Sequence, residues 1–255
     1  MNKEYGLEEI HKSLIEALDE LDTICRNNNI YYSLHGGALL GAERNGKLIP
    51  WDDDLDISMT RENYEKFLNV CQAEQYDYYV NEIDNWVPRF TKRIREKETV
   101  FIDIFIWDYI SEKKIIQKFK ILLLRTMQGM LKRNVNYSNY SLKNKLLIKT
   151  TNVIGRLLPR KTKLRFFKKI EQKFVGNKKY IHRSNDAFKG VGYIFDSRYM
   201  SEYSFVMLEG KEYMVTSRYK EFLERNYGRD YLIPPKEEER RPMHGEQRKN
   251  FMEEV

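Results

Sequence analysis

Cysteine is scarce. Cys25 and Cys71 are the two thiols in 255 residues, and they stand in no metal-binding or redox spacing. Each falls in a stretch of helical periodicity, so each reads as a buried free thiol, and a reducing, cytoplasmic setting is expected. Long apolar runs are missing too. The longest, ILLL and VFIDIFIW, are sized for a core, far short of the roughly 20 apolar residues that span a bilayer. The first residues, MNKEYGLEEIHKSL, are charged and lack the apolar stretch of a secretory leader. No internal repeat or low-complexity segment is visible. Hydrophobic residues at 41% and 18 tyrosines argue against disorder. A chain of this length builds one sizeable core, with room for a smaller appended part.

Acid is nearly absent from about a quarter of the chain. Lys113 to Tyr180 holds 20 Lys and Arg against a single acid, Glu171, a net of +19; the whole chain is +7, so the remainder carries −12. That asymmetry says more than the overall isoelectric point. A segment this basic seeks phosphates, whether in nucleic acid, anionic lipid or a phosphorylated substrate.

Apolar spacing organises the rest. Leu7 to Asn28 repeats Leu7, Ile10, Leu14, Ala17, Leu18, Leu21 and Cys25 at three- and four-residue intervals and predicts an amphipathic helix. IYYSLHGG predicts a short strand entering a glycine turn, ALLGAER a short helix, and LDISM a second strand. Arg61 to Cys71 reads as a helix with Thr60 as its N-cap. YDYYVNEI and RFTKRIR have strand character, and TVFIDIFIWDYI predicts a buried strand. From Glu112 to about Lys179 the chain is helical and basic, broken near Asn134–Tyr140 and at Pro159. A hairpin is expected around Gly210, then a helix from Ser217 to Tyr227 and a charged tail. The fold class is α/β (α+β).

The carboxylates carry the chemistry. DDDLD places Asp52, Asp53, Asp54 and Asp56 within five positions. On a strand Asp54 and Asp56 share one face, with Cα atoms roughly 6.5–7 Å apart, while Leu55 and Ile57 point into a core. Such a pair can reach the same cation, and oxygen ligands suit Mg2+ or Mn2+. Asp52 and Asp53 read as an acidic loop. In VFIDIFI, Asp103 is one charge in an apolar strand; a metal shared with Asp54 and Asp56 would compensate it, and so would a buried Arg. Asp108, at the strand end, reads as solvated or capping. Gly36 and Gly37 supply a turn through which backbone N–H groups can approach phosphate oxygens. Together these features describe the nucleotidyltransferase pattern: a glycine turn, paired strand aspartates and a third strand carboxylate.

The stretch GGALLGAERNGKLIPWDDDLDISMTRENYEKF resembles the signature of the LicD family, related to the fukutin-type phosphotransferases. The resemblance continues through RIR (Arg93 to Arg95), FIDIFIWD, LEGKEYMV and YGRDYLIPP, and is weakest across the basic helices. It implies a nucleotidyltransferase-like mixed sheet flanked by helices. It also implies transfer of a substituted phosphate, usually phosphocholine from CDP-choline, to a hydroxyl of a surface glycan or its lipid-linked precursor. Carried over residue by residue, the metal carboxylates fall on Asp54, Asp56 and Asp103, with Mg2+ or Mn2+ as cofactor, and the phosphate turn on Gly36 and Gly37. Asp103 is the group expected to activate the acceptor hydroxyl. Ala38 stands where the family usually has Thr or Ser, Asn45 where His is common, and Trp107 where Pro is frequent; the first departure removes a phosphate-facing hydroxyl. The chain then divides into a catalytic core over 1–111, a basic helical part over 112–180 and a segment over 181–255 that completes the catalytic domain.

Several further residues have two readings. Arg44 fits a salt bridge to Asp52 or Asp53, or a phosphate contact. Arg93 and Arg95 fit a donor-phosphate site, or a surface ladder. Trp51 fits a donor-pocket wall, or core packing. His35 reads as a packing residue, and His244 sits in the tail. A choline headgroup calls for an aromatic cage. The basic segment Lys113–Tyr180 fits a solvated helical face, a nucleic-acid surface or a peripheral contact with an anionic membrane on its cytoplasmic side; a lipid-linked acceptor favours the membrane, with Arg160 to Lys169 as the candidate contact, over nucleic acid.

Overall fold

The N-terminal periodicity produces the helix it predicts. A computed structural model of the chain describes residues 5–73, 78–81, 86–95, 98–132, 135 and 141–242; the side chains at 73, 78, 79, 81, 92–95, 98, 99 and 143 are outside that description. Helix α1 (Glu8–Asn27) buries Leu14, Ala17, Leu18, Leu21, Ile24 and Cys25, one continuous stripe of a 3.6-residue period. Two compact units form. The first comprises Met1–Asn81, Pro88–Phe105 and Arg198–Val255, and the second Glu82–Val87 and Ile106–Ser197.

In the first unit, β1 (Ser33–His35) runs directly into α2 (Gly36–Asn45). A loop carrying the acidic run follows, then β2 (Leu55–Thr60) and α3 (Arg61–Ala73). Thr60 caps α3 as expected, its hydroxyl accepting the Asn63 N–H at 3.3 Å. Next come β3 (Tyr78–Asn81), β4 (Arg89–Arg95) and β5 (Glu98–Ile110), and the strand order is β1-β2-β5-β4-β3. β1 and β2 are antiparallel with Leu34 opposite Ile57 and His35 opposite Asp56. β4 and β5 are antiparallel with Arg89 opposite Asp103. Strand alternation is strict where it matters: Leu55, Ile57 and Met59 of β2 and Ile102 and Ile104 of β5 are buried, while Asp56 and Asp103 between them are not fully so. The hairpin β8 (Tyr203–Leu208) and β9 (Lys211–Thr216) turns at Glu209 and Gly210, both at positive φ, the backbone that two-residue hairpins favour. Its tip holds the loop after α2. The Glu209 N–H donates to Gly46 O at 2.8 Å, and Glu209 Oε1 accepts the Leu48 N–H at 2.8 Å. Helix α7 (Tyr219–Tyr227) ends the ordered core.

The second unit contains the last residues of β5, the helices α4 (Lys114–Leu131), α5 (Leu142–Gly155) and α6 (Arg160–Glu171), and two strands absent from the sequence reading, β6 (Tyr180–Arg183) and β7 (Ile194–Asp196). β6 pairs antiparallel with β5, Trp107 opposite Arg183, and with β7. Leu124, Met127, Leu131, Leu164, Phe167 and Val191 form its apolar cluster, with Trp86 packed against it. Buried cations tie it together. Lys120 has no exposed surface; its ammonium donates to Tyr109 O at 2.9 Å and Glu171 O at 2.6 Å. Lys163 does the same for Met130 O at 2.9 Å and Gly155 O at 2.8 Å, adding a donor to carbonyls in the last turns of α4 and α5. Asp108 is a correction: it is buried rather than solvated, and its carboxylate accepts a hydrogen bond from the Ser184 hydroxyl. His182 beside it is buried, and desolvation lowers its imidazole to about 3, so the ring is neutral. No helix of the described residues is long and apolar enough to cross a membrane.

Lys120 gives a direct test of this architecture. Lys120→Met keeps the stem but strands two buried carbonyls, which should cost about 1–3 kcal/mol. Denaturant unfolding should show that loss. Unchanged stability would mean that water replaces the ammonium.

Candidate active site

The start of α2 sets the geometry. His35 is extended and Gly36 follows at φ +54°, a left-handed angle that disfavours any side chain. A Cβ on Gly36 would overlap Asp56 Oδ2, and one on Gly37 would overlap Asp52 Oδ2. Two carboxylates therefore lie directly on the first turn of α2. The positive end of the helix dipole and its unpartnered N–H groups favour negative charge there. The glycine turn and the aspartates, 15 or more positions apart in sequence, form one constellation.

One face of the sheet collects the rest. Opposed residues in an antiparallel pair project to the same side, so His35 and Asp56 share a face. The His35 ring packs 5.1 Å from Phe105 and 4.1 Å from Phe222, which puts Phe105 on that face. Two-residue periodicity then adds Asp103. His35 is buried among these rings, the packing reading made from sequence.

The acidic loop is more deeply engaged than its composition suggests. Asp53, read as part of an acidic loop, is buried. Asp52 and Asp54 share a hydrogen bond between their side chains. Burial pushes the Asp52 carboxyl up to about 8, and the nearby Asp54 charge adds to that. His11 Nε2 contacts Asp52 O at 2.7 Å, and Asp52 N–H donates to Ile49 O at 2.9 Å, so α1 and the Ile49-Pro50-Trp51 turn hold the loop in place. Three of the acids thus crowd the mouth of α2, and proton sharing relieves the repulsion between two of them.

Asp103 meets Arg89, a half-buried arginine, where sequence left a buried Arg open as its partner. Arg89 Nε donates to Asp103 Oδ1 at 2.7 Å, and the guanidinium lies 3.8 Å over the Phe101 ring. Arg89 was not singled out from sequence, because nothing local in VPRF indicates which carboxylate the strand will pair it with. Oxygen donors of this kind suit a hard divalent cation. Among the described residues, no group of three or more His, Cys, Asp and Glu side chains is drawn into a single ligand cluster.

Arg44 pairs with backbone carbonyls. Its Nε and Nη2 donate to Tyr231 O at 2.9 and 2.6 Å, and Nη2 also to Ile233 O at 3.1 Å. It clamps the YLIPP segment, a role that required knowing where residue 231 runs. Trp51 is half-buried and carries Arg240 5.0 Å over its ring, with Tyr5 6.0 Å away. Arg93 and Arg95 lie on β4, where the register slips between them; their side chains and His244 are outside the described residues.

With this geometry in place, the chain can be set beside known proteins. Residues 29–137 match the family model LicD/FKTN/FKRP, nucleotidyltransferase domain, a span that contains the glycine turn, Asp52, Asp53, Asp54, Asp56 and Asp103. That stretch is thus similar to the nucleotidyltransferase domain of LicD-type proteins, in line with the motif resemblance. It is 27% identical to lipopolysaccharide cholinephosphotransferase LicD of Haemophilus influenzae over 270 residues, covering 95% of this chain and 97% of that protein. It is also 30% identical to an uncharacterized protein of Rickettsia prowazekii over 87 residues, 27% of this chain and 33% of that one.

The Asp52–Asp54 pair makes a pH dependence. Asp52 binds its proton more tightly in the folded chain than unfolded, where 3.8 is usual. Its stabilising effect is therefore complete below 3.8 and is lost as pH rises through about 8. In chelator-treated protein the melting temperature should fall across that window. Asp52→Asn should flatten the fall; an equally steep fall in that variant would assign the effect to another group.

Proposed function

We propose that this protein is a transferase that moves a substituted phosphate, phosphocholine from CDP-choline, onto a hydroxyl of a cell-surface glycan such as lipopolysaccharide or its lipid-linked precursor. The observation that carries the reading is similarity along nearly the whole chain to a cholinephosphotransferase, joined to carboxylates stacked on a glycine-initiated helix. In the reaction an acceptor oxygen bonds to the phosphorus bearing choline, the bond from that phosphorus to the CMP oxygen breaks, and the acceptor proton is taken up. The products are the phosphocholine-substituted glycan and CMP.

The residue types suit a divalent cation, which would have to draw Asp54, Asp56 and Asp103 together, since no three of the described His, Cys, Asp and Glu side chains form one ligand cluster as they stand. Asp52 and Asp54 already require neutralisation, since one holds a proton well above its usual range, and the donor set is all oxygen. Asp54, Asp56 and Asp103 would hold Mg2+ or Mn2+, which when bound offsets the charge of the donor pyrophosphate and of the departing CMP. The chain's own groups do the remaining work. Gly36 and Gly37 leave the first turn of α2 open to phosphate oxygens. Arg89 keeps Asp103 oriented and offsets its charge. Asp103 accepts the acceptor proton in this scheme. Trp51 presents an aromatic face that already takes a cation, Arg240, and a quaternary ammonium seeks the same kind of surface.

The test is CMP release from a panel of CDP-linked alcohols with Mn2+ and a glycan acceptor. CMP should appear with CDP-choline and disappear with chelator. Asp54→Asn, Asp56→Asn and Asp103→Asn should each fold and lose at least about 10²–10³ in turnover. Preference for a CDP-polyol would overturn the headgroup assignment. Near-normal turnover in Asp103→Asn would remove that residue from the chemistry.

A further inference from the structure

We infer that the outward side of α5, continued through Leu157 and the exposed side of α6, is a peripheral membrane surface that binds anionic lipid. The inference stands apart from the donor and acceptor proposed above. Its first support is that α5 is built inside out. The residues it buries are Ile148, Thr151, Asn152 and Gly155, mostly small or polar. They allow close approach: a Cβ on Gly129 of α4 would overlap Thr151 Oγ1, and one on Gly155 would press on the Met130 backbone. The large apolar side chains point the other way. Leu142, Leu146, Val153 and Ile154 are exposed, and so is Leu157 beyond the helix, with Leu142 at 84% and Leu157 at 83%. A helix that docks on its own protein buries its leucines; this one offers them to its surroundings.

The second support is charge. Lys149, Arg156, Lys161, Arg165 and Lys169 are exposed among these apolar groups, and Phe166 of α6 joins them. The one acid of Lys113–Tyr180, Glu171, is buried. The surface therefore presents aliphatic side chains and cations without an acid from this segment to offset them. A cleft of about 560 Å³ beside α5, lined in part by Ile121, Leu122 and Leu147 with Lys118 and Arg125, has the same mixture.

An anionic bilayer satisfies both features at once: its headgroups attract the cations and its acyl region accepts the leucines. Nucleic acid would satisfy the charge, but single-strand surfaces offer aromatic rings for stacking, and here the exposed apolar groups are mainly aliphatic. Lipid, with no spanning helix among the described residues, is the partner that fits. The contact also moves from where sequence placed it. Within Arg160–Lys169, Lys163, Leu164 and Phe167 are buried, so that stretch contributes only its outer side, and α5 supplies most of the apolar surface.

Sedimentation with vesicles tests this without any substrate. The full chain should bind vesicles containing phosphatidylglycerol at least tenfold better than pure phosphatidylcholine at low salt, and part of that binding should survive high salt. Leu146→Gln/Val153→Gln/Leu157→Gln should lose the salt-resistant part. Lys149→Glu/Arg156→Glu/Lys161→Glu/Arg165→Glu should lose at least tenfold at low salt. All seven side chains are exposed or at the surface of their helices, so melting temperatures should match the parent and exclude misfolding as the cause. The inference is overturned if the parent ignores anionic vesicles at low salt, if both variants bind as it does, or if it binds a duplex oligonucleotide and no vesicle.

Discussion

Like charges held close together in a poorly hydrated place are the constraint around which the first unit is arranged. Asp52, Asp54 and Asp56 cannot all keep full charge at the mouth of α2 without compensation. The compensation is visible. The helix begins on Gly36 at positive φ, so its dipole and free N–H groups face Asp52 and Asp56 with no side chain between. Asp52 and Asp54 share a hydrogen bond, and Asp52 is pushed toward its protonated form. Much of the surrounding structure holds this arrangement in place. The β8–β9 hairpin tip fixes Gly46 and Leu48, α1 reaches the loop through His11, and Arg44 secures the segment around Tyr231. A site that must be neutralised is also a site that selects for a cation, and that is the physical link between this geometry and the transferase reading.

The second unit solves a different electrostatic problem by different means. Its sequence is crowded with lysine and arginine, and two of the lysines are taken inside. Lys120 and Lys163 are buried, and backbone carbonyls at strand and helix ends receive their ammonium groups. Carbonyl oxygens at helix C-termini carry the negative end of the dipole, so each ammonium caps an end while staying in a polar pocket. Removing these cations to the interior leaves the outer surface of α5 and α6 to be defined by the remaining cations and by leucine, valine and phenylalanine. Charge count alone described the segment as a phosphate seeker; the burial of particular lysines decides which part of it meets a partner.

Similarity to relatives and local geometry contribute unequally to the functional reading. The proposed class of reaction draws on a match that covers 97% of the Haemophilus influenzae protein. The proposed headgroup draws instead on the aromatic face of Trp51 and the cation seated on it. The glycine turn and aspartates were readable in sequence because they are contiguous and because their spacing has one natural fold, a strand-to-helix turn followed by an alternating strand. Asp103 was readable as an anomaly, a charge among isoleucines, but its partner Arg89 was not, since pairing across strands depends on register.

The division between what sequence decides and what tertiary structure decides follows the range of the interactions. Sequence by itself determined α1, α3, the hairpin at Gly210, the alternation that sets Asp56 and Asp103 apart from their apolar neighbours, and the glycine turn, because each depends on residues within about one or two turns of helix or one strand. Only the tertiary structure decided that Asp108 is buried against Ser184 rather than solvated, that Arg44 grips Tyr231 and Ile233 rather than an acid, that Lys163 caps two helices, and that α5 turns its leucines outward. Each of those outcomes is set by a partner from a distant part of the chain, or by how closely two backbones approach. Periodicity gives a helix two faces; which face becomes the inside depends on the shape of what it packs against, and at Gly129 and Gly155 that shape admits only the small side.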